Sequence, residues 1–575
     1  MFFQKLVFLS CYSFFIVSLS IVFFNCPLAK YFFYMKFDYI VIGAGSAGCV
    51  LANRLSENPK NKVLLLEAGG RDTKLEIKIP AAYGKLNYSN VDWGFRTEPQ
   101  THVDNRQMYQ PRGKVLGGSS STNAMAYVRG NHADYDDWAR MGASGWAHKD
   151  VLPYFKKSEN NAQFENDFHA KGGLLHVTEA TKYRTPLADA FVQSCGENGI
   201  ANNPDFNGET QEGAGHFQFT IKNGVRESTA SAFLTPFLVR PNLKVLTGVQ
   251  VKKILLEKDR AVGVEFFQKN SKNNTEKVFC NQEIILSAGA FGSPQLLMLS
   301  GIGDPSELRK QHIESKIPLQ NVGKNLHDHL MFGVSGLSTW RGTMNIVQKP
   351  VNMPKHILSW LVRKRGPLTI SPLESNAFVK TNPKMAQPDL QIMFVPGHMG
   401  DEHDLANGVD IYRPETYPKT DGFTLLPTLL HPKSRGEVSL RSNNPFESMR
   451  IQPNYLSHED DRQTLIKGYR LARKIMESKG FSPFLKEIHY PRQAETEEEI
   501  LIHIRRTLEC VYHPVGTCRM GDSEENSVVD STLRVRGVRG LRVADASVMP
   551  KITSGNTNAP VIMIGEKAAD FLLNP

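Results

Sequence analysis

The 575-residue sequence holds seven cysteines, and no two of them form a Cys-x-x-Cys pair. Cys11, Cys26, Cys49, Cys195, Cys280, Cys510 and Cys518 are spaced too widely for a disulfide framework or a zinc site, so reduced thiols in a reducing compartment are expected. Concentrated charge of one sign is missing too. Lys and Arg outnumber Asp and Glu by 68 to 58, a formal net charge of +10, yet no five basic residues run together. A solvated basic surface follows, without the dense patch that nucleic acid requires, and no nucleic-acid partner is expected. With 41% hydrophobic and 22% charged residues, the chain is neither disordered, collagenous nor multi-span. Residues 1–34 stand apart. Their only charges are Lys5 and Lys30, and Leu6 to Phe24 is an uncharged run of 19 residues, long enough to cross a bilayer core as a helix. A membrane anchor, a cleaved signal and a start of translation at Met35 are three readings of this segment. The expected location is therefore cytoplasmic, or membrane-associated at the inner face.

The first informative pattern follows immediately. Asp38 to Ile42 is a short apolar run suited to a buried parallel strand, and Gly43-Ala-Gly45-Ser46-Ala-Gly48 comes directly after it. Cys49 to Leu55 reads as a helix, and Val63 to Leu66 as a second buried strand ending in Glu67. Gly43 permits the tight turn, Gly45 lets backbone approach a pyrophosphate, and Gly48 allows close helix–strand packing. The helix N-terminus offers free N–H groups and a positive dipole end to phosphate. Glu67, 19 residues after Gly48, can accept hydrogen bonds from a ribose diol. Strand, glycine turn, helix, strand and acid together predict a dinucleotide site, but do not separate FAD from NAD.

Further along, Pro111-Arg-Gly-Lys-Val-Leu-Gly-Gly-Ser-Ser-Ser-Thr-Asn123 is a Gly/Ser-rich loop of the kind that exposes backbone N–H groups to a ligand. This stretch resembles the first signature of the glucose–methanol–choline (GMC) oxidoreductases. The segment from Gly289 to Gly303 resembles the second, and Val322-Gly-Lys-Asn-Leu-His-Asp-His-Leu330 the segment after it. His513-Pro-Val-Gly-Thr-Cys-Arg-Met-Gly521 is similar to the family's catalytic-histidine motif. Leu541 to Pro550 and Ser554 to Pro560 are similar to its closing flavin contacts. The likeness spans about residues 37–572 and is closest to the choline dehydrogenase-like and alcohol dehydrogenase branch.

The resemblance implies an α/β fold: a Rossmann-like FAD domain and a second, antiparallel-sheet substrate domain with six strands facing the flavin. The FAD domain would comprise residues 36–155, 221–330 and 511–575, and the substrate domain residues 156–220 and 331–510. It implies FAD contacts from Gly43, Gly45, Ser46, Gly48, Glu67, Ala68, Arg112, Leu116, Gly117, Gly118, Asn123, Ala124 and Met125. Val251, Ala288, Asp545 and Asn558 complete that set. Local signals agree. Ser457-His-Glu-Asp460 is a capping-box pattern ahead of Leu465, Tyr469, Ala472 and Met476, an apolar stripe that predicts an amphipathic core helix. Leu243 to Leu246 and Val262 to Phe266 read as strands flanking Val251. The last helix is expected to start near Asn558 as N-cap, with Pro560 in its first turn and Val561, Ile564, Ala568 and Phe571 on its apolar face.

Alcohol oxidation removes a proton from O–H and a hydride from the adjacent carbon, so the protein must supply a base beside the flavin. The resemblance assigns that base to His513, and to Asn556, 43 residues on, a hydrogen bond to the substrate oxygen. Some members of the family attach flavin through a His in the glycine loop. Thr122 stands there in this sequence, so FAD is expected to be non-covalent. His327 replaces the Gln usual in its segment. His327, His329, His398 and His403 lack a metal-site context, and no metal is expected. The expected reaction converts a primary alcohol, choline or an aliphatic or aromatic one, to its aldehyde, with electrons passing to a quinone-type acceptor. An oxygen-dependent oxidase of the same family and an NAD-linked dehydrogenase are the alternatives. Glu374 is a loosely placed candidate clamp for a choline ammonium.

Overall fold

The computed structural model describes residues 36–180, 183–268, 274–401, 404 and 410–574. The three readings of residues 1–34, and His403, fall outside the described residues. Two sheets organise the rest. The first has seven strands. Leu243–Thr247, Val63–Glu67, Lys36–Ile42 and Thr275–Leu286 run parallel in that order, and Leu541–Val543 adds a fifth parallel strand beside Ile284–Leu286. The strands Arg260–Phe267 and Gln250–Glu257 continue the sheet antiparallel. The central strands are continuous apolar runs, and all five residues of Val63–Glu67 are buried, as a sheet covered on both faces demands.

The second sheet is antiparallel. Its main path is Leu485–Tyr490, Val334–Ser338, Gly422–Leu429, Leu390–Val395, Ser375–Val379 and Gly213–His216. These are the six strands expected, but two two-residue strands extend the sheet to eight: Leu330–Met331 pairs with Gly422–Leu429 and with Glu509–Cys510. The addition matters because Leu330 lies opposite Cys510 and so brings the residues just before 330 alongside those just after 510.

The helix Glu459–Met476 covers this sheet with Leu465, Tyr469, Ala472 and Met476 buried, as the stripe predicted. Its cap differs by one residue. His458, not Ser457, is the N-cap, and its Nδ1 accepts from the N–H of Asp460. The imidazole reaches the free N–H groups that the Ser457 hydroxyl, a residue too early, does not. The last helix, Asn558–Leu573, also starts differently. Thr557 occupies the N-cap position without a side-chain bond, while Asn558 is already helical and its Oδ1 accepts from the Ser46 hydroxyl at 2.7 Å.

That last helix packs on the helix Ser46–Ser56 that follows the glycine turn. Contact is close because Gly565 has no side chain: a Cβ there would lie 3.0 Å from Ala47 Cα. Farther along, Arg54 donates to both oxygens of the buried Glu566 carboxylate, at 2.9 and 2.7 Å. The two ends of the described chain are thereby locked together. Replacing Arg54 by Met leaves Glu566 buried with only Lys157 at 3.5 Å. The expected outcome is a loss of about 3 kcal/mol in stability, read as a lower urea midpoint at unchanged slope.

Candidate active site

Between the two sheets lies a cavity of about 410 Å³. One end is built from the glycine turn. Gly43 sits at φ +99°, and a Cβ on it would meet Ser287 O at 2.4 Å. A Cβ on Gly48 would meet Gly43 O at 1.9 Å, so Gly48 serves helix–strand packing and does not line the cavity. Gly118, at φ +51°, would place a Cβ 2.7 Å from Gly45 Cα, so the Gly/Ser loop rests directly on the turn. Leu116 and Gly117 lie behind it. Their N–H groups donate to Gly70 O and Ala44 O, which shapes the loop without lining the cavity.

The remaining expected cofactor contacts, Gly43, Gly45, Ser46, Glu67, Ala68, Arg112, Gly118, Asn123, Ala124, Met125, Val251, Ala288, Asp545 and Asn558, all line this one cavity. Glu67 accepts the N–H groups of Ala44 and Gly69 at 2.8 and 2.7 Å, and burial pushes its carboxyl up to about 7. Asp545 accepts from Gly289 N and Ser293 Oγ on one oxygen and from Ser547 on the other. Met125 holds φ +61°, and its N–H donates to Asn123 Oδ1.

His513 and Asn556 line the same cavity. His513 Nδ1 is 3.0 Å from His329 Nδ1, and its Nε2 is 3.4 Å from Asn556 Nδ2. The backbone N–H of His513 donates to Asp328 Oδ1 at 2.7 Å. Burial, the neighbouring His329 ring and the Arg112 guanidinium hold His513 well below the ordinary histidine range. Burial takes His329 down to about 3 and Asp328 up to about 7. Asn556 rides on a loop clamped at three points. His327 Nε2 accepts Ile552 N–H at 3.0 Å, Asp134 Oδ2 accepts Ser554 N–H at 2.6 Å, and Gln211 donates to Ser554 O at 2.7 Å. His327 thus steadies the segment that carries Asn556.

Sequence reasoning passed over His329 although its motif was recognised. No periodicity distinguishes it, and tertiary pairing of its segment with residues 510–515 brings it to His513. Glu374 is placed otherwise than expected. It is buried, its Oε2 accepts from Thr185 N and Oγ1 at 2.9 and 2.7 Å, and it does not line the cavity. Among the described residues Thr185 supplies the hydrogen bonds that satisfy that carboxyl in a dry interior. Met331, Leu373, Met393, Val395, Leu426 and Val511, which belong to one apolar cluster, line the cavity as well. Among the described residues the acids that line the cavity are Glu67, Asp92, Glu447 and Asp545, and none of them belongs to that cluster.

FAD fits this cradle on the structure's own terms. The helices Ser46–Ser56 and Asn558–Leu573 both open into the cavity with no acid in the first turn and no side-chain cap. Two uncompensated positive helix ends suit a pyrophosphate and an electron-rich ring. The Oδ1 of Asn556 is buried without a protein partner.

Comparison with known proteins agrees. Models of the GMC oxidoreductase N- and C-terminal regions match residues 37–331 and 432–565. The chain belongs to the GMC oxidoreductase family. It is 43% identical to an alcohol dehydrogenase [acceptor] of Pseudomonas putida, over 93% of this chain and 96% of that one. It is 40% identical to the mitochondrial choline dehydrogenase of Mus musculus, over 93% and 89%. Among solved structures, a pyridoxine 4-oxidase from Mesorbium loti superposes with a TM-score of 0.82 at 29% identity, covering 93% and 98% of the two chains. A formate oxidase variant from Aspergillus oryzae, studied for modification of its FAD, gives 0.85 at 26%, covering 94% and 98%. This GMC protein is an FAD-dependent oxidoreductase. Its two glycine loops touch without side chains between them, so Gly118→Ala should push them apart. FAD retention, followed by flavin fluorescence during dilution, is expected to weaken about tenfold or more.

Proposed function

We propose that the enzyme oxidises a primary alcohol bearing an uncharged apolar chain to its aldehyde and passes the electrons to a quinone-type acceptor. In this reading residues 36–155, 221–330 and 511–575 hold FAD, and 156–220 with 331–510 hold the substrate. FAD, when bound, supplies the hydride acceptor. The observation that carries the reading is the placement of His513 between His329 and Asn556 in a cavity that an apolar cluster also lines.

The proton chemistry follows from tautomers. Two Nδ1 atoms 3.0 Å apart require one to donate. Asn556 Nδ2 can only donate, so His513 Nε2, 3.4 Å away, is the acceptor of that pair. Nδ1 of His329 then accepts, His513 donates from Nδ1, and His513 Nε2 is left unprotonated toward the cavity. That nitrogen takes the hydroxyl proton of the substrate. Asn556 Nδ2 donates to the same oxygen and stabilises its developing charge, a contribution of roughly 3–4 kcal/mol for donors of this kind. His329 is a positioning residue and does not touch substrate. Thr122 has no nucleophile able to bond flavin as His does, which supports dissociable FAD.

His513→Ala should keep its yellow colour and lose about 10²–10⁴-fold in kcat. Because surroundings hold His513 below the ordinary value, its neutral form persists as pH falls. The acid limb of kcat/KM should therefore lie below about 6.5, not at it. An acid limb centred at or above that value would remove His513 from the role of free base.

The apolar wall supports the substrate class. Each added methylene should raise kcat/KM about fourfold in a dye-linked series of straight-chain alcohols, until the wall is filled. Choline is the second reading. Tyr83, Tyr412, Tyr417 and Tyr512 also line the cavity, and aromatic faces can receive a quaternary ammonium. If choline exceeds hexanol in kcat/KM, this second reading replaces the first. Rapid peroxide release in place of dye reduction would assign the electrons to oxygen.

A further inference from the structure

Residues 329–373 contain no acidic side chain and six basic ones: Arg341, Lys349, Lys355, Arg363, Lys364 and Arg365. Within this stretch lies the helix Met353–Arg363, whose inner face is anchored by one residue. Trp360 is buried against Ile79 and Leu368, its Nε1 donates to Gly224 O at 2.8 Å, and Lys364 Nζ caps its ring at 3.6 Å. The outer face inverts the usual pattern. Val351 is 81% exposed, Leu358 62%, Leu361 55% and Val362 71%, and Ile357 is 39% exposed. Positions 358, 361 and 362 share one helix face. Isolated exposed apolar residues need no explanation, but a contiguous apolar face ringed by cations does.

We propose that this helix is a membrane-docking surface that lies in the interface of an anionic lipid bilayer. Eleven residues make a helix of roughly 16 Å, far short of the ~30 Å hydrocarbon core, so the helix lies on the membrane and does not cross it. Among the described residues no helix is long and apolar enough to span. An apolar face flanked by Lys and Arg is the chemistry of a peripheral anchor, with cations meeting lipid phosphates as the apolar side chains enter the acyl boundary. Other occupants match it less well. A second copy would bring six cations against six. Residues 1–34 are apolar but carry Lys5 and Lys30 and no acid, so they offer no anion to the rim.

The location gives the surface a use. The cluster that Trp360 forms with Ile79 and Leu368 packs with Ala81 and Ala82, and Ala81 lines the cavity. Met344, nine residues before the helix begins, lines it too. The docking face is thus one layer of side chains from the wall of the active site. A membrane-dissolved alcohol or quinone would meet the enzyme there.

The test uses the full chain with FAD bound, in vesicle flotation. Phosphatidylcholine vesicles are compared with equimolar phosphatidylcholine and phosphatidylglycerol, at low and high salt. Wild type should float with the anionic vesicles, less with the neutral ones, and less at high salt. The triple substitution Leu358→Gln, Leu361→Gln, Val362→Gln and the charge set Lys355→Gln, Arg363→Gln, Arg365→Gln should each weaken binding about tenfold or more. Both should leave turnover of a water-soluble alcohol with dye unchanged. Equal flotation of wild type and both variants overturns the proposal and assigns binding to residues 1–34. No flotation of wild type overturns it as well, and so does a concentration-dependent dimer that the triple variant abolishes without any vesicle binding.

Discussion

The fold depends on a meeting of chain ends. The helix after the glycine turn and the helix that closes the chain lie against each other, held by the Arg54–Glu566 pair, the Ser46–Asn558 bond and the missing side chain at Gly565. Because the two N-termini emerge side by side, their positive ends open onto the same cavity. Asn556 lies two residues before the last helix, so whatever fixes that helix also fixes Asn556. A glycine turn encoded near residue 45 and an amide encoded near residue 556 come to line one cavity through this contact. The buried carboxylate of Glu566 costs desolvation, and the bidentate Arg54 offsets it while setting the register between the helices.

Electrostatics around His513 follow from dryness. His513, His329 and Asp328 are close together and shielded from water, and each is pushed toward its uncharged form. A carboxylate beside a histidine usually raises its pKa. Here Asp328 meets the backbone N–H of His513 and not the ring, and burial takes its own carboxyl up to about 7. The ring's partner is therefore a second neutral imidazole. Such a pair transmits tautomer identity without adding charge, which suits a base that must be unprotonated before substrate arrives.

Legibility in the sequence was uneven for physical reasons. The glycine turn could be read because steric rules leave few residues able to adopt its conformations, and the acid at Glu67 falls at a spacing set by one strand and one helix. The buried stripe of Glu459–Met476 could be read from its period, whereas its cap missed by one residue because imidazole and hydroxyl both satisfy a free N–H. Asn558 was read as a cap for its side-chain chemistry, yet that side chain is spent on Ser46, a partner 512 residues away that no local rule contains. His329 and Glu374 show the same limit. Both had the right chemistry for a role, and only tertiary pairing decides which of them faces His513 and which faces Thr185.

One stretch of chain joins these themes. Residues 329–373 begin at the histidine that positions His513, supply Met331, Met344 and Leu373 to the cavity wall, and include the exposed apolar helix between them. A further acid along this path would act against one of its parts: charged and beside the rings, unlike the buried Asp328, it would raise the pKa of the two histidines, in the wall it would disfavour an apolar chain, and on the helix it would oppose an anionic surface. A single compositional feature, 45 residues without Asp or Glu, is thus consistent with three separate physical demands. The demands are linked in space as well. The cluster by which Trp360 fixes the outer helix packs with Ala81, which also lines the cavity. A substrate of the proposed apolar class would also concentrate in a bilayer, so the proposed pocket and surface chemistries would select the same class of molecule.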